Sequence, residues 1–505
     1  MRTIKFLSAA FIGVAGLLNM AVAQEKSRPN IVFIFSDDHA FQAISAYNGP
    51  LAKLAPTPNI DRIAKDGMLF NKCYVTNSLC TPSRATVLTG THSHINGVRA
   101  LQDRLDSTQV TFPIVLKELG YQTALVGKWH LKSNPVGFNY WDILNNQGQY
   151  YNPNFISESG TKRVEGYVTD IITDKALNWL QNERDKKQPF MIMIQHKAPH
   201  RTFEKGPQHL SLYEDTTFPE PESLFDDYNG RGTPARKQEM SIDKDMKIGY
   251  DLKVLTGKEE RKKANPRFTD AQSKAWDAVY NPIKAEFLAL NPQGKDLVKW
   301  KYQRYMRDYL ATVRSVDDNV GRVLDYLDKN GLSENTLIVY CSDQGFYLGE
   351  HGWFDKRFMY EESFRTPLLM KWPQVIKKGT VNNDMVSNLD FAQTFIELAG
   401  GKSPERMQGL SLLPVMKSKT PQNWRNSLYY HYYDFPAVHN VPKHEGVANK
   451  RYKLIHFYEI NEWELYDLEK DPQEMKSEYA NPAYASVVKS MKQELSKLKE
   501  QYKAN

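Results

Sequence analysis

The chain has 505 residues, 41% hydrophobic and 25% charged, with 66 Lys and Arg against 59 Asp and Glu. That composition excludes a disordered chain and a polytopic membrane protein, and the length suffices for one large domain with a smaller one, or for two or three ordinary domains. The net charge of +7 is spread through mixed-sign segments, which reads as a solvated surface and sets nucleic acid aside as the partner.

The N-terminus carries Arg2 and Lys5, then an apolar stretch from Phe6 to about Met20, then Ala21-Val22-Ala23 before Gln24. This is the pattern of a signal peptide over residues 1–23. The apolar run is short for a membrane span and is interrupted by Ser8, Gly13 and Gly16. Cys73, Cys80 and Cys341 are too few for a disulfide framework, even in an exported protein. At most one pair can bridge, and the third cysteine then needs a chemical explanation.

Asn30–Phe35 is a continuous apolar run, rich in β-branched and aromatic residues, that stops at Ser36-Asp37-Asp38. It predicts a strand buried on both faces of a parallel sheet. A helix-like stretch follows around Ile60–Gly67, then further apolar runs at Thr123–Gly127, Phe190–Ile194 and Thr336–Tyr340. These end at Lys128, near His200 and at Asp343. Ligands of open α/β sheets bind outside the carboxyl ends of strands, so these polar clusters are expected to converge. Residues 201–312 show no strand pattern, carry the charge run Lys258–Lys263, and read as an insertion with short helices that shapes a pocket or merely decorates the domain. From about Asn423 the pattern changes: Ser427–Tyr433 and Tyr452–Phe457 predict antiparallel strands and Tyr484–Tyr502 an amphipathic helix. The expected architecture is an α/β domain over 24–422, with a large mostly parallel sheet flanked by helices, and a smaller α+β subdomain over 423–505 containing an antiparallel sheet.

The chemistry centres on Asn77-Ser-Leu-Cys80-Thr-Pro-Ser-Arg84-Ala-Thr-Val-Leu-Thr-Gly90. Its Cys-x-Pro-x-Arg core, the trailing Thr89-Gly90, Gly127-Lys128-Trp129-His130 and Ala198-Pro199-His200 resemble the motifs of the formylglycine-dependent type I sulfatases of the alkaline phosphatase superfamily. The resemblance covers essentially the whole mature chain. It implies that Cys80 is oxidised to formylglycine by a maturase before export. An aldehyde hydrate suits sulfate esters, because one hydroxyl attacks sulfur and the other expels sulfate by reforming the carbonyl. A serine or thiol would instead leave a stable sulfated enzyme.

Asp37, Asp38, Asp343 and Gln344 offer only oxygen donors, the preference of Ca²⁺ or Mg²⁺ over zinc. By resemblance these positions, with the modified Cys80, bind calcium, although relatives often carry Asn or His where Gln344 stands. The resemblance further implies that Arg84 holds the hydrate, Lys128 contacts the sulfate, His130 acts as base when sulfate is expelled, and His200 with Lys356 faces the leaving-group oxygen. An alternating pair on an extended segment would turn Lys128 and His130 to one face. His196 is a nearby rival to His200 that reads better as a packed histidine.

The stretch Gly345–Ser363 is similar to the N-acetylglucosamine-6-sulfatase branch. That implies an exo-acting enzyme for 6-O-sulfated N-acetylglucosamine of glycosaminoglycans or mucins, with other sugar sulfates, such as 2-O-sulfated uronate, left open. Asp355 and Arg357 flank Lys356, and with His444 they are candidates to bind sugar hydroxyls or, equally, to be ion-pair and loop residues. His351 stays undecided. Two rival functions remain: a phosphonate or phosphate ester hydrolase of the same superfamily, and a glycan-binding pseudosulfatase. Against the latter stand both a nucleophile and an acid, which a pure binder does not need.

Overall fold

A computed structural model describes residues 28–255 and 267–504. The expected signal peptide and the run Lys258–Lys263 lie outside the described residues. Ten strands form the main sheet, in the order Thr380–Asn382, Met68–Phe70, Leu368–Lys371, Thr336–Ser342, Asn30–Asp37, Phe190–Pro199, Gln122–Gly127, Tyr140–Leu144, Asn154–Ser157 and Gly160–Arg163. The five from Thr336–Ser342 to Tyr140–Leu144 run parallel. These are the apolar runs of the sequence, and the reason they lack alternation is visible in their packing. Ile31, Phe33 and Phe35 pack on one face with Met191, Met193 and Val339, while Val32 and Ile34 pack on the other with Ile192, Ile194 and Ile338. Both faces are buried, so both parities must be apolar.

On the first face lie the helix Cys80–Thr89, through Ala85, Val87 and Leu88, and the helix Phe391–Leu398, through Phe391, Phe395 and Ile396. On the second lie Val168–Asn178 and the long helix Gly294–Lys329. Residues 201–312 therefore do not carry short helices only. They hold Asp270–Leu290, and the boundary at 312 falls inside Gly294–Lys329. The long helix is amphipathic, and its buried side reads as a polar, aromatic sequence because it is built from Tyr302, Tyr305 and Tyr309 as well as aliphatics.

The C-terminal region forms a separate antiparallel sheet of Ser427–Tyr432, His444–Asn449, Tyr452–Phe457 and Glu462–Asp467, each paired with the next. The helix Ala485–Tyr502 covers one face through Met491, Leu495, Leu498 and Tyr502. The other face packs Tyr430, Ile455 and Phe457 on Tyr347, Trp353, Phe358 and Tyr360. Among the described residues no helix is long and apolar enough to cross a membrane. Cys73, Cys80 and Cys341 are all free and buried.

Candidate active site

Four strand ends and one helix start meet at a single point. Cys80 is the first residue of Cys80–Thr89, a helix whose ten residues are all buried despite its three threonines. Polar groups there are satisfied locally, by Thr76 on Thr86 at 3.1 Å and by the Thr89 hydroxyl donating to Ala85 O at 2.7 Å. The motif's Gly90 closes the helix at φ +60°, where an added Cβ would lie 2.9 Å from the Gln393 amide. The four-residue spacing of Cys80 and Arg84 puts both on one helical face.

Arg84 is fixed on every side. Its Nε and Nη2 donate to Asp343 Oδ2 at 3.1 and 3.0 Å, its Nη1 to Lys128 O at 2.9 Å and to Gln195, and its guanidinium lies over the Phe35 ring. Asp37 ends the central strand and Asp38 follows it, and Asp343 is tied to the strand by its N–H donating to Ser36 O at 3.1 Å. Lys128 pairs with Asp37, while Lys356 Nζ reaches both Asp38 oxygens at 2.6 and 2.7 Å. Gln344 donates to Asp38, and its Nε2 lies 3.9 Å from Cys80 Sγ. His200 Nε2 stands 3.8 Å from Asp38 Oδ2. Its Nδ1 donates to Arg201 O at 2.6 Å, which fixes the tautomer and turns Nε2 toward the site.

The extended geometry expected for Lys128 and His130 does not hold. The strand ends at Gly127, and His130 has φ +57°, so the chain has already turned. Both side chains still reach the site, His130 through Nδ1 at 3.3 Å from the Thr81 hydroxyl. His196 lies elsewhere: Gln195 reaches Arg84, and the next residue of the strand points to the opposite face, that of Ile192 and Ile194.

Asp37, Asp38 and Asp343 bring carboxylate oxygens within 4.8 Å of one another, all buried. Burial and the charge of Asp37 push Asp343 up to about 8, despite Arg84. Burial pushes Asp38 up to about 6 against Lys356. For Asp37 burial acts upward too, but Lys128, His200 and Arg84 outweigh it and hold the carboxyl well below its usual range. Three crowded carboxylates in a low dielectric call for a cation. Among the described residues no hydrogen-bond donor meets the buried Asp37 Oδ1 or Gln344 Oε1, and these hard oxygen donors fit Ca²⁺ or Mg²⁺. Gln344 is thus compatible with the ligand role that its departure from relatives left in question.

Asp355 and Arg357 flank Lys356 in residues of positive φ, +78° and +110°, with Arg357 Nε 3.5 Å from Asp355 Oδ1. Arg357 also faces Asp434 at 3.8 Å, yet among the described residues its Nε and Nη1 have no hydrogen-bond acceptor. His444 keeps Nε2 buried and, among the described residues, unpartnered. It is fully buried, stacked between Tyr430 and Tyr432, with Nδ1 donating to Pro442 O at 2.8 Å. The strand pattern could not show this, because the neighbouring tyrosines come from the paired strand. His351 belongs to a separate buried charge network with Arg231, Asp226 and Glu362.

Three participants escape the sequence reading. Gln195 holds Arg84. His439 sits 3.2 Å from Asp355 Oδ2 through Nε2 while its Nδ1 donates to Glu239 O at 2.6 Å. Tyr309, from the long helix, donates to Asp38 O at 2.7 Å and accepts from Ala40 N–H. The one available signal was for His439, five residues before the flagged His444.

A doubly covered, mostly parallel sheet whose strand ends gather carboxylates, buried cations and a cysteine is the arrangement of an α/β-class enzyme with a site suited to a tetrahedral oxyanion. A model of the sulfatase family matches residues 29–401, and one for the C-terminal region of N-sulphoglucosamine sulphohydrolase matches 349–501. The N-acetylglucosamine-6-O-sulfatase of Bacteroides thetaiotaomicron is 50% identical over 95% of this chain and 88% of its own. The human N-acetylglucosamine-6-sulfatase is 27% identical over 81% of this chain and 68% of its own. A solved structure of a protein in complex with its substrate D-glucosamine-2-N,6-O-disulfate superposes with a TM-score of 0.92 at 48% identity, covering 95% of this chain and 99% of that one. The chain belongs to the sulfatase family and is a sulfuric ester hydrolase. The family is one that uses calcium and formylglycine.

Proposed function

We propose that this enzyme removes 6-O-sulfate from terminal N-acetylglucosamine of glycosaminoglycan or mucin glycans, outside the cytoplasm after loss of residues 1–23. The observation that carries the reading is the convergence on Cys80 of Arg84, Lys128, His200, Lys356 and three carboxylates. The half-identical relative and the disulfated glucosamine bound to the similar structure support the choice of sugar.

Formylglycine at position 80 would supply the attacking oxygen and the means of expelling sulfate. Calcium held by Asp37, Asp38, Asp343 and Gln344 would offset charge building on oxygen. Lys128 and Lys356 both lie near enough for their charge to act on Cys80, where the sulfate must sit. Arg84 is locked by Asp343, so its donors are preorganised and need not reorient during reaction. Burial keeps His200 well below its ordinary range. An arriving anionic ester favours the imidazolium, whose Nε2 proton then goes to the sugar oxygen as the ester bond breaks. His130 is pulled down to about 2 by burial and Lys128 and is therefore neutral; negative charge developing beside it would have to raise its basicity for it to accept a proton when sulfate is expelled. Asp355 and the Arg357 donors that lack a hydrogen-bond acceptor would bind sugar hydroxyls, and a site built that way rejects sugars that lack them.

The test is turnover of defined esters by protein whose Cys80 is confirmed as modified. Hydrolysis of N-acetylglucosamine-6-sulfate well above 2-O-sulfated uronate, phosphodiester and phosphonate esters is expected. A dominant phosphoester rate, a preference for the uronate, or glycan binding without turnover would overturn the assignment.

A further inference from the structure

One buried cation beside this site takes no part in the roles above. Lys197 lies near the end of the strand Phe190–Pro199, three residues before His200, and its carbonyl accepts the His200 N–H at 3.1 Å. Its side chain is 4% exposed. The ammonium lies 4.9 Å from the centre of the Tyr150 ring, and Tyr150 is itself held by its hydroxyl donating to His200 O at 2.5 Å. Among the described residues no oxygen accepts a hydrogen bond from Lys197 Nζ, and no carboxylate comes within ion-pair distance. The carboxylates whose charge reaches it are Asp37, Glu204 and Asp38, while Lys128 opposes it.

The neighbouring cations differ. Arg84 rests on Asp343, Lys128 on Asp37 and Lys356 on Asp38. An ammonium largely withdrawn from water that faces an aromatic ring and no acceptor recovers less than the desolvation it costs. Burial and Lys128 accordingly pull Lys197 down to about 8. A missing acceptor on the wall beside the leaving-group side of the site is what a substrate oxygen would supply, and an anionic one best.

We propose that Lys197 is a substrate-contacting, specificity-determining residue whose ammonium donates to a sulfate oxygen of the substrate, on the ester being cleaved or on a second sulfate of the same sugar. This rests on the sulfated-sugar reading above. The test uses the full, modified, metal-loaded enzyme and the variants Lys197→Met and Lys197→Arg. The substrates are N-acetylglucosamine-6-sulfate, glucosamine sulfated at N and 6-O, and an aryl sulfate without sugar. Thermal melting establishes that each variant is folded, and Lys197→Gln serves if Lys197→Met is not.

The neutral variant is expected to lose about tenfold or more in kcat/KM, the size of one charge-assisted hydrogen bond, with Lys197→Arg restoring most of it. Equal loss on all three substrates assigns the contact to the ester sulfate. Loss confined to the disulfated sugar assigns it to the second sulfate. Equal loss on both sugars with the aryl sulfate untouched would place the contact on the sugar itself and overturn the sulfate assignment. A folded neutral variant within about twofold of wild type on every substrate would also overturn it. If wild type cleaves the aryl sulfate but neither sugar, the proposed substrate fails separately. The aryl sulfate then still decides on Lys197, a tenfold loss supporting it and no loss overturning it.

Discussion

Burial and the charge of Asp37 push the Cys80 thiol up, so a thiolate at this position is disfavoured. The same surroundings, with Arg84 and Lys356 close by, suit a neutral aldehyde that becomes reactive only as its hydrate. His200 follows a similar logic. It is needed only where the leaving alcohol must be protonated, so His200→Ala should lower kcat on the sugar ester by about 10²–10⁴ and far less on an aryl sulfate, whose phenoxide departs unaided. Equal losses on the two substrates would remove His200 from the acid role. His196 makes the contrast. Its ring is buried with Nδ1 unpartnered, and burial pulls it down to about 3. The folded state binds this proton less readily than the unfolded state, so its share of stability is complete above about pH 6.5 and is lost as pH falls toward 3. His196→Leu should gain on wild type by up to about 1.4 kcal/mol per pH unit between roughly pH 6 and 4, read as the difference in denaturant unfolding. A pH-independent difference would show that the histidine is not held neutral.

Elements decide how these side chains meet. The unbroken apolar runs made the central strands legible, because burial on both faces leaves no other pattern, and the polar residue that ends each run marked the site. Cys80 and Arg84 were legible from their spacing, which one turn of helix explains. Gln195 and Lys197 were not, since their roles come from strand alternation and from residues over forty positions away in sequence, Tyr150 and Arg84. His439 acquires its role only where the Asp355 turn meets the C-terminal region. The turn after Gln122–Gly127 also resisted reading, because it rests on one glycine. Gly127 has φ +104°, and a Cβ there would fall 2.0 Å from Gln195 O. Gly127→Ala should therefore destabilise the fold by about 2 kcal/mol or more and displace Lys128 from Asp37, raising KM for the sulfate ester. A variant of unchanged stability and KM would refute this account of the turn.

At the scale of the molecule, the sheet order is what assembles the centre. Asn30–Asp37 lies between Thr336–Ser342 and Phe190–Pro199, so residues more than 300 positions apart place Asp38 and Asp343 side by side, with a 3.1 Å bond from the Asp38 N–H to Asp343. Such a cluster should make the fold depend on its cation. At a hundredfold excess over its dissociation constant a bound ion contributes about 2.7 kcal/mol, so a calcium chelator should lower the melting temperature and added calcium restore it. Melting indifferent to chelation would argue against a structural ion among these carboxylates.

The central claim is that the nucleophile is made from Cys80. Mass spectrometry of the peptide containing Cys80, from protein produced with a formylglycine-generating maturase, tests it most directly when read beside activity. The expected peptide carries one oxygen in place of one sulfur and two hydrogens, and sulfatase activity should scale with the fraction converted. Full activity from protein whose Cys80 is an unmodified thiol would contradict the account.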